Sequence, residues 1–124
     1  MAKLIGPDFV ALQVRDLEAS ARFYRDTVGL VVAPDAPPHA VVFKTSPIPF
    51  AVREPVVELA AVSRLGWGVA LWFGCDDPDA LHGQLVGAGV TIAQEPSDGA
   101  FGRQFTFVDP DGYAITAHSA EDAR

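Results

Sequence analysis

The chain has 124 residues, of which 49% are hydrophobic and 20% charged, so it can bury the core of one domain and is not a disordered chain. Nine Lys and Arg residues against sixteen Asp and Glu residues give a formal net charge of −7, which argues against nucleic-acid and anionic-membrane partners. Cys75 is the only cysteine, which excludes an internal disulfide; with no visible signal peptide or membrane-length apolar run, a cytoplasmic protein is expected.

The first half of the chain is predicted to form a strand, a helix and three more strands. Residues 9–14 alternate in hydrophobicity as a strand does. Asp16 predicts the start of a helix because its carboxylate can accept backbone N–H groups of the first turn, and Gly29 predicts the end. The further strands are predicted over 30–33, 39–45 and 48–54.

The second half repeats this pattern after a connector over residues 55–66. Asp77 predicts the cap of a second helix, with Pro78 at its first position and Gly89 after its end. The strands are predicted over 68–75, 90–94, 103–108 and 113–118, with an Asp-Pro-Asp-Gly turn at 109–112 before the last one. We therefore expect one α+β domain over residues 1–124, with module one over about 1–55 and module two over about 67–124.

Two motifs resemble those of a known family. The segment Val14-Arg15-Asp16-Leu17-Glu18-Ala19-Ser20, followed by Phe23-Tyr24 and Gly29-Leu30, resembles the opening of the vicinal oxygen chelate superfamily, which has the glyoxalase/bleomycin resistance fold. The segment from Phe105 to Ile115, which contains the Asp-Pro-Asp-Gly turn, is similar to its last hairpin. The resemblance covers nearly the whole chain. It implies eight strands in two βαβββ modules curled into a cup, and a homodimer with cavities at or near the subunit interface.

The resemblance also implies where enzymes of this superfamily hold a metal, with His, Gln or Glu on the first and last strands of each module. Those positions fall on Phe9, Ala51, Ala70 and Thr116. Three of these side chains have no lone pair to donate and Thr116 is a poor ligand, whereas a divalent metal needs three or more N, O or S donors. We therefore expect a protein with no bound metal or other cofactor and no catalytic residue.

The predicted cup is lined instead by small and aromatic side chains, which suit a flat ligand. Gln13, Arg53 and His118 fall on the same strand faces and are expected to orient the ligand by hydrogen bonds. Phe50 and Trp67 lie near strand ends and are expected at the rim, and Phe101 is expected to close over the ligand. The predicted ligand-binding residues are Phe9, Ala11, Gln13, Phe50, Arg53, Trp67, Ala70, Trp72, Phe101, Thr116 and His118.

The function predicted from these residues is to bind and sequester a hydrophobic aromatic small molecule, an antibiotic, without changing it. The resemblance to the bleomycin-resistance branch implies such a role. Two alternatives stay open at this point. One is a superfamily enzyme, either with a displaced metal site at Gln13, Glu54 and His118 or with cofactor-free acid–base chemistry. The other is a non-catalytic sensor or partner module. A bound metal would favour the enzyme, whereas tight binding of an unchanged small molecule would favour sequestration.

Overall fold

The computed structural model describes residues 2–119, which form two compact units with their boundary between Leu59 and Ala60. Each unit contains one four-stranded sheet and a helix, which confirms the predicted α+β class. The boundary lies inside the segment predicted as a connector, at a short 3-10 turn, Leu59–Ala61. Within residues 2–119, no helix is both long and apolar enough to cross a membrane.

The first unit has the predicted order of strand, helix and three strands. Its sheet has the order β1-β4-β3-β2, in which the first and last strands pair in parallel and the other neighbours are antiparallel. Helix α1 continues directly into a π-helical turn, Phe23–Thr27. The elements are β1 (Val10–Gln13), α1 (Leu17–Arg22), β2 (Val31–Val32), β3 (Ala40–Lys44) and β4 (Phe50–Arg53).

The core of the first unit lies between α1 and its sheet. The carboxylate of Asp16 accepts the backbone N–H of Ala19 at 3.0 Å, which caps α1 as predicted. Tyr24 is fully buried, and its ring lies 6.0 Å from that of Phe43 and 5.0 Å from that of Phe50. Phe50 was predicted at the rim of the ligand site, but only 3% of it is exposed. Its strand places it beneath α1, so it is a core residue.

The second unit repeats this arrangement. Its sheet has the order β5-β8-β7-β6, again with the first and last strands parallel. Asp77 caps the second helix by accepting the backbone N–H of Ala80 at 3.1 Å. The elements are β5 (Leu71–Cys75), α2 (Pro78–Gly87), β6 (Thr91–Gly99), β7 (Gly102–Val108) and β8 (Ala114–Ser119). The predicted pair of βαβββ modules is therefore confirmed.

Strand β6 is longer than predicted. It runs to Gly99 rather than to residue 94, and its pairing with β7 slips between Ile92 and Gln94 and again between Gln94 and Ser97. Such bulges let a strand continue past an interruption in the ladder. Gly99 pairs with Gly102, so the hairpin between β6 and β7 closes over two residues, Ala100 and Phe101.

One face of the second sheet is buried and the other is left open. Helix α2 packs against β6, β7 and β8, and the side chains beneath it alternate along the strands. The buried set comprises Leu85, Phe105, Phe107, Ile115 and Ala117. Because successive side chains of a strand point to opposite faces, the residues between these lie on the face away from α2.

Asp109 organises the turn between β7 and β8. It is buried, and its Oδ1 accepts the backbone N–H groups of Asp111 and Tyr113, both at 2.9 Å. The backbone adds bonds from Gly112 N to Asp109 O at 3.0 Å and from Asp109 N to Tyr113 O at 2.9 Å. These bonds confirm that the Asp-Pro-Asp-Gly sequence forms the turn.

Replacing Asp109 by Ala should lower the free energy of unfolding by about 1–3 kcal/mol, because the buried N–H of Tyr113 and the partly buried N–H of Asp111 would lose their acceptor. Urea denaturation followed by circular dichroism measures this change. Asp35, which lies in an exposed loop, provides the control, and Asp35→Ala should leave the midpoint unchanged. Equal effects of the two substitutions would show that Asp109 does not hold the turn.

Candidate ligand-binding face

The open face of the second sheet brings together residues from three strands. Trp72 of β5 pairs with Thr116 of β8, which pairs with Thr106 of β7. Two residues away on each strand, Gly74 pairs with His118, which pairs with Gln104. Paired residues lie on the same side of a sheet, so Gly74 and the side chains of the other five residues share one surface. We call this surface, with Phe101 at its edge, the open face of the second sheet.

Three rings form a cluster at one end of this face. The Trp72 ring lies 5.6 Å from Phe101 and 5.5 Å from His118, and both contacts are edge-to-face. The ring centres of Phe101 and His118 are 6.4 Å apart. Such contacts add about 0.5–1.5 kcal/mol per aromatic pair beyond burial. Even so, Trp72 is 43% exposed and Phe101 65% exposed. The cluster therefore offers ring surface to a further aromatic group.

The His118 ring is oriented by the hairpin tip. Its Nδ1 lies 3.3 Å from the carbonyl oxygen of Phe101. A carbonyl can only accept, so this hydrogen bond requires the proton on Nδ1 and leaves Nε2 of the neutral ring as an acceptor. His118 thus presents an acceptor beside the Trp72 ring.

A short row of hydrogen bonds crosses the middle of the open face. The Thr106 hydroxyl lies 3.4 Å from Gln94 Oε1, to which it donates, and 2.8 Å from the Thr116 hydroxyl. Either hydroxyl can donate in the shorter contact, and in both cases the Thr116 oxygen keeps a lone pair that can accept a further hydrogen bond. The face therefore carries two acceptors, Thr116 Oγ1 and His118 Nε2.

The hairpin tip that carries Phe101 depends on Gly102. This residue has φ +96°, in the region that favours glycine, and a Cβ there would collide with the Ser119 hydroxyl. That hydroxyl is itself engaged, since it accepts the backbone N–H of Arg103 at 2.9 Å. A close approach of the two strands therefore fixes Phe101 next to Trp72.

The other predicted residues of the second unit lie away from this cluster. Trp67 lies in the turn before β5 and is 74% exposed. The centre of its ring is 4.4 Å from the guanidinium carbon of Arg64. Ala70 is exposed directly before β5. Of the predicted residues, the structure brings together Trp72, Phe101, Thr116 and His118. It places Trp67 outside this cluster, against Arg64.

Apart from the buried Phe50, the predicted residues of the first unit lie on the face of the first sheet away from α1, or directly before β1. Ala11 pairs with Ala51, and Gln13 pairs with Arg53. The Gln13 side-chain oxygen accepts the backbone N–H groups of Val56 at 2.8 Å and Val57 at 3.2 Å, so it holds the start of the connector. Phe9 precedes β1 and is 47% exposed. Ligand binding by these residues stays a prediction.

The residues at the family's metal positions do not fit a metal. Phe9, Ala51 and Ala70 offer no donor atom, and the Thr116 hydroxyl is hydrogen-bonded to Thr106. Over residues 2–119, no three His, Cys, Asp or Glu side chains converge as a metal requires. Glu54, which the displaced-site alternative needs, is paired with His39 at 2.9 Å.

Cys75 does not have the surroundings of a nucleophile. Burial is the largest effect and raises the pKa of its thiol. A backbone hydrogen bond at Asp77 lowers the pKa, and the negative charges of Asp76 and Asp77 raise it, so the net shift is upward. The thiol therefore stays protonated at neutral pH, and the thiolate is the reactive form.

Gln104 and Thr106 of the open face, and Gln94, which is hydrogen-bonded to Thr106, were missed by the sequence analysis. Residues 104 and 106 alternate with the buried Phe105 and Phe107, so strand parity alone could have placed them on the open face. Gln94 had no such signal, because the bulges of β6 shift its register.

Comparison with known proteins agrees with this architecture. The model of the glyoxalase/bleomycin resistance protein/dioxygenase superfamily matches residues 6–116. A glyoxalase/bleomycin resistance protein from Streptomyces sp. CB03234 is 26% identical, with a TM-score of 0.72 over 92% of this chain and 100% of that one. None of the curated proteins compared with this chain matches it.

Two further solved structures share the fold at lower identity. TnmS3, an antibiotic binding protein from Streptomyces sp. CB03234, is 24% identical, with a TM-score of 0.72 over 98% of this chain and 100% of that one. The bleomycin-binding protein of bleomycin-producing Streptomyces verticillus, solved with copper(II)-bleomycin, is 21% identical. Its TM-score is 0.68, and the match again covers 98% of this chain and 100% of that one.

Gly102→Ala should destabilise the protein by about 1–3 kcal/mol, because a strained backbone and a steric clash add at the hairpin tip. Gly83 provides the matched control, since it lies within helix α2 with open space around its Cβ position. Gly83→Ala should stabilise the protein by about 0.5–1 kcal/mol. Urea denaturation measures the stability of both variants. An unchanged free energy of unfolding for Gly102→Ala would show that the hairpin tip can accommodate a Cβ at this position.

Proposed function

The chain belongs to the glyoxalase/bleomycin resistance protein/dioxygenase superfamily, and from this premise we propose that it binds a flat aromatic antibiotic and sequesters it unchanged. The single observation that carries the proposal is the cluster of exposed rings on the open face of the second sheet, next to two hydrogen-bond acceptors. This arrangement can hold a molecule by its ring plane and by its edge.

Exposed rings on an otherwise ordered sheet favour binding over a purely structural role. Trp72 and Phe101 keep 43% and 65% of their surface exposed although each has ring partners. Covering such a ring with an apolar ligand gains roughly 25 cal/mol per Å² of apolar area, in addition to stacking. An aromatic ligand that lies across both rings therefore gains affinity from contact area alone.

The polar atoms of the face indicate the chemistry of the ligand edge. Thr116 Oγ1 and, in the neutral ring whose Nδ1–H donates to Phe101 O, His118 Nε2 can each accept a hydrogen bond from a ligand. A ligand with phenolic hydroxyl or amide N–H groups along one edge would satisfy both atoms. A ligand with only acceptors on that edge would leave His118 Nε2 without a donor, which costs about 1–3 kcal/mol once that atom is buried.

Two solved proteins of this fold are named for binding antibiotics, one of them bleomycin. They provide a precedent for ligand binding on this scaffold. The lack of donor atoms at Phe9, Ala51 and Ala70 supports binding without conversion, because the family's metal-dependent chemistry needs those donors.

We also propose that the protein acts as a homodimer. Within each sheet, the first strand, β1 or β5, is an edge strand. Unpaired edges and clustered exposed apolar side chains usually mark an interface. The exposed apolar side chains include Leu4, Ile5, Val31, Val32, Val56, Val57, Val62 and Val86. A two-fold dimer is the commonest assembly that covers such a surface.

Trp72→Ala should weaken binding of a flat aromatic antibiotic by about 1–3 kcal/mol, which is roughly ten- to a hundredfold, because stacking and buried apolar area are lost. Titration with a panel of anthraquinone and quinoxaline antibiotics identifies the probe. In the wild-type protein the probe should quench tryptophan fluorescence, and mass spectrometry should recover it unchanged.

Phe107, which is buried beneath α2, provides the contrast for stability. Phe107→Ala should destabilise the fold by about 3–5 kcal/mol, whereas Trp72→Ala should cost much less. If Trp72→Ala retained full affinity but lost stability as Phe107→Ala does, Trp72 would be a core residue and the proposal would be wrong. Conversion of the probe would show an enzyme instead.

Light scattering should give twice the monomer mass of 13.2 kDa at micromolar concentration, because the exposed apolar surface favours association. A mass of one chain at that concentration would contradict the proposed dimer.

A further inference from the structure

A pocket, which we call the hollow, lies in the second unit near Val108 and Ala114, where β7 ends and β8 begins. The ring cluster lies near the other ends of these two strands. It has a volume of about 260 Å³, and its walls are mainly apolar. The residues that matter for its chemistry are Arg64, Trp67, Val69, Leu71, Val108 and Tyr113. Ligand pockets usually measure about 300–1,000 Å³, so this hollow suits a compact molecule of one or two rings.

The turn that carries Trp67 is fixed in place. Gly66 has φ +75°, and a Cβ there would lie 2.9 Å from Cδ1 of the Tyr113 ring, so only glycine lets the chain approach so closely. Val69 N donates to Gly66 O at 3.0 Å and closes the turn. Tyr113 in turn is buried and held by the Asp109 carboxylate. The hollow therefore has the buried Tyr113 ring beneath it, and the turn at its edge presents the exposed Trp67 ring.

Arg64 supplies a positive charge at this hollow. Its guanidinium carbon lies 4.4 Å from the centre of the Trp67 ring. In the part of the chain that the structure describes, Arg22, Arg25 and Arg103 each have a carboxylate partner, whereas Arg53 and Arg64 have none. Stacking on a ring also leaves the N–H groups of a guanidinium able to bind an anion.

We propose that this hollow binds a compact aromatic carboxylate. The ring enters between Trp67 and the apolar wall of Val69, Leu71 and Val108, and the carboxylate binds the guanidinium of Arg64. The planar fork of an arginine matches a carboxylate with two parallel hydrogen bonds, which selects it over a neutral group of the same shape. No covalent step is involved.

The proposal does not rest on the function assigned to the open face. The hollow uses the end of β7 and the start of β8, at Val108 and Ala114, whereas the ring cluster uses their other ends, at Gly102 and His118. Four residues of β8, or about 13 Å, separate Ala114 from His118. In β5 the hollow residue Leu71 is next to Trp72, but neighbouring side chains of a strand point to opposite faces. Either site can therefore exist without the other.

The experiment follows the indole N–H signal of Trp67 by ¹H–¹⁵N NMR while 1-naphthoate is added to the full chain. A Trp72→Phe variant identifies which of the two indole signals belongs to Trp67. The Trp67 signal should shift with saturation, and Arg64→Gln should weaken 1-naphthoate binding at least tenfold. Arg64→Lys should recover part of the loss, and 1-naphthamide, which has no charge, should bind the wild type and Arg64→Gln with equal, low affinity.

Arg22→Gln, at an exposed arginine of helix α1, is the matched control and should bind 1-naphthoate as the wild type does. The NMR spectrum itself shows whether each variant is folded. The proposal is overturned if 1-naphthoate leaves the Trp67 signal unmoved at millimolar concentration. Equal affinity of the wild type and Arg64→Gln, or equal binding of the acid and the amide by the wild type, would also overturn it.

Discussion

Burial of one sheet face against helix α2 determines where the side chains of the candidate ligand-binding face lie. Phe105, Phe107 and Ile115 are held under the helix, and a slip of one residue would turn all three into water. Burial of each of these side chains stabilises the fold by about 1.5–3 kcal/mol. The same slip would bury Thr106 and Thr116 in the core. The side chains of the open face are therefore specified by the apolar residues between them.

Parallel pairing of the first and last strands then gives the face its composition. It sets Trp72 beside Thr116 and Gly74 beside His118, although these residues lie in distant parts of the sequence. The glycine at residue 74 leaves space next to the Trp72 ring, and the tight hairpin tip adds Phe101 from the far edge. Exposed rings at such a place agree with the proposed ligand-binding role.

Much of this structure is predictable from local chemistry. The two helix caps, the Asp-Pro-Asp-Gly turn and the strand alternation each act within a few residues, and all appear where the sequence placed them. Phe50 and Gln94 were misjudged or missed because their positions depend on contacts outside their own strand. The Tyr24 ring covers the first, and bulges in β6 move the second. Arg64 could not be singled out, since its lack of a carboxylate partner is visible only in three dimensions.

The most direct test of the account is a crystal structure of the protein with a flat aromatic antibiotic that it binds. The account predicts a covalently unchanged ligand with its ring plane against Trp72 and Phe101. It also predicts a hydroxyl or N–H group of the ligand within hydrogen-bonding distance of Thr116 Oγ1 or His118 Nε2. A ligand bound elsewhere, a chemically altered ligand, or a Trp72 ring packed against a partner subunit would contradict it.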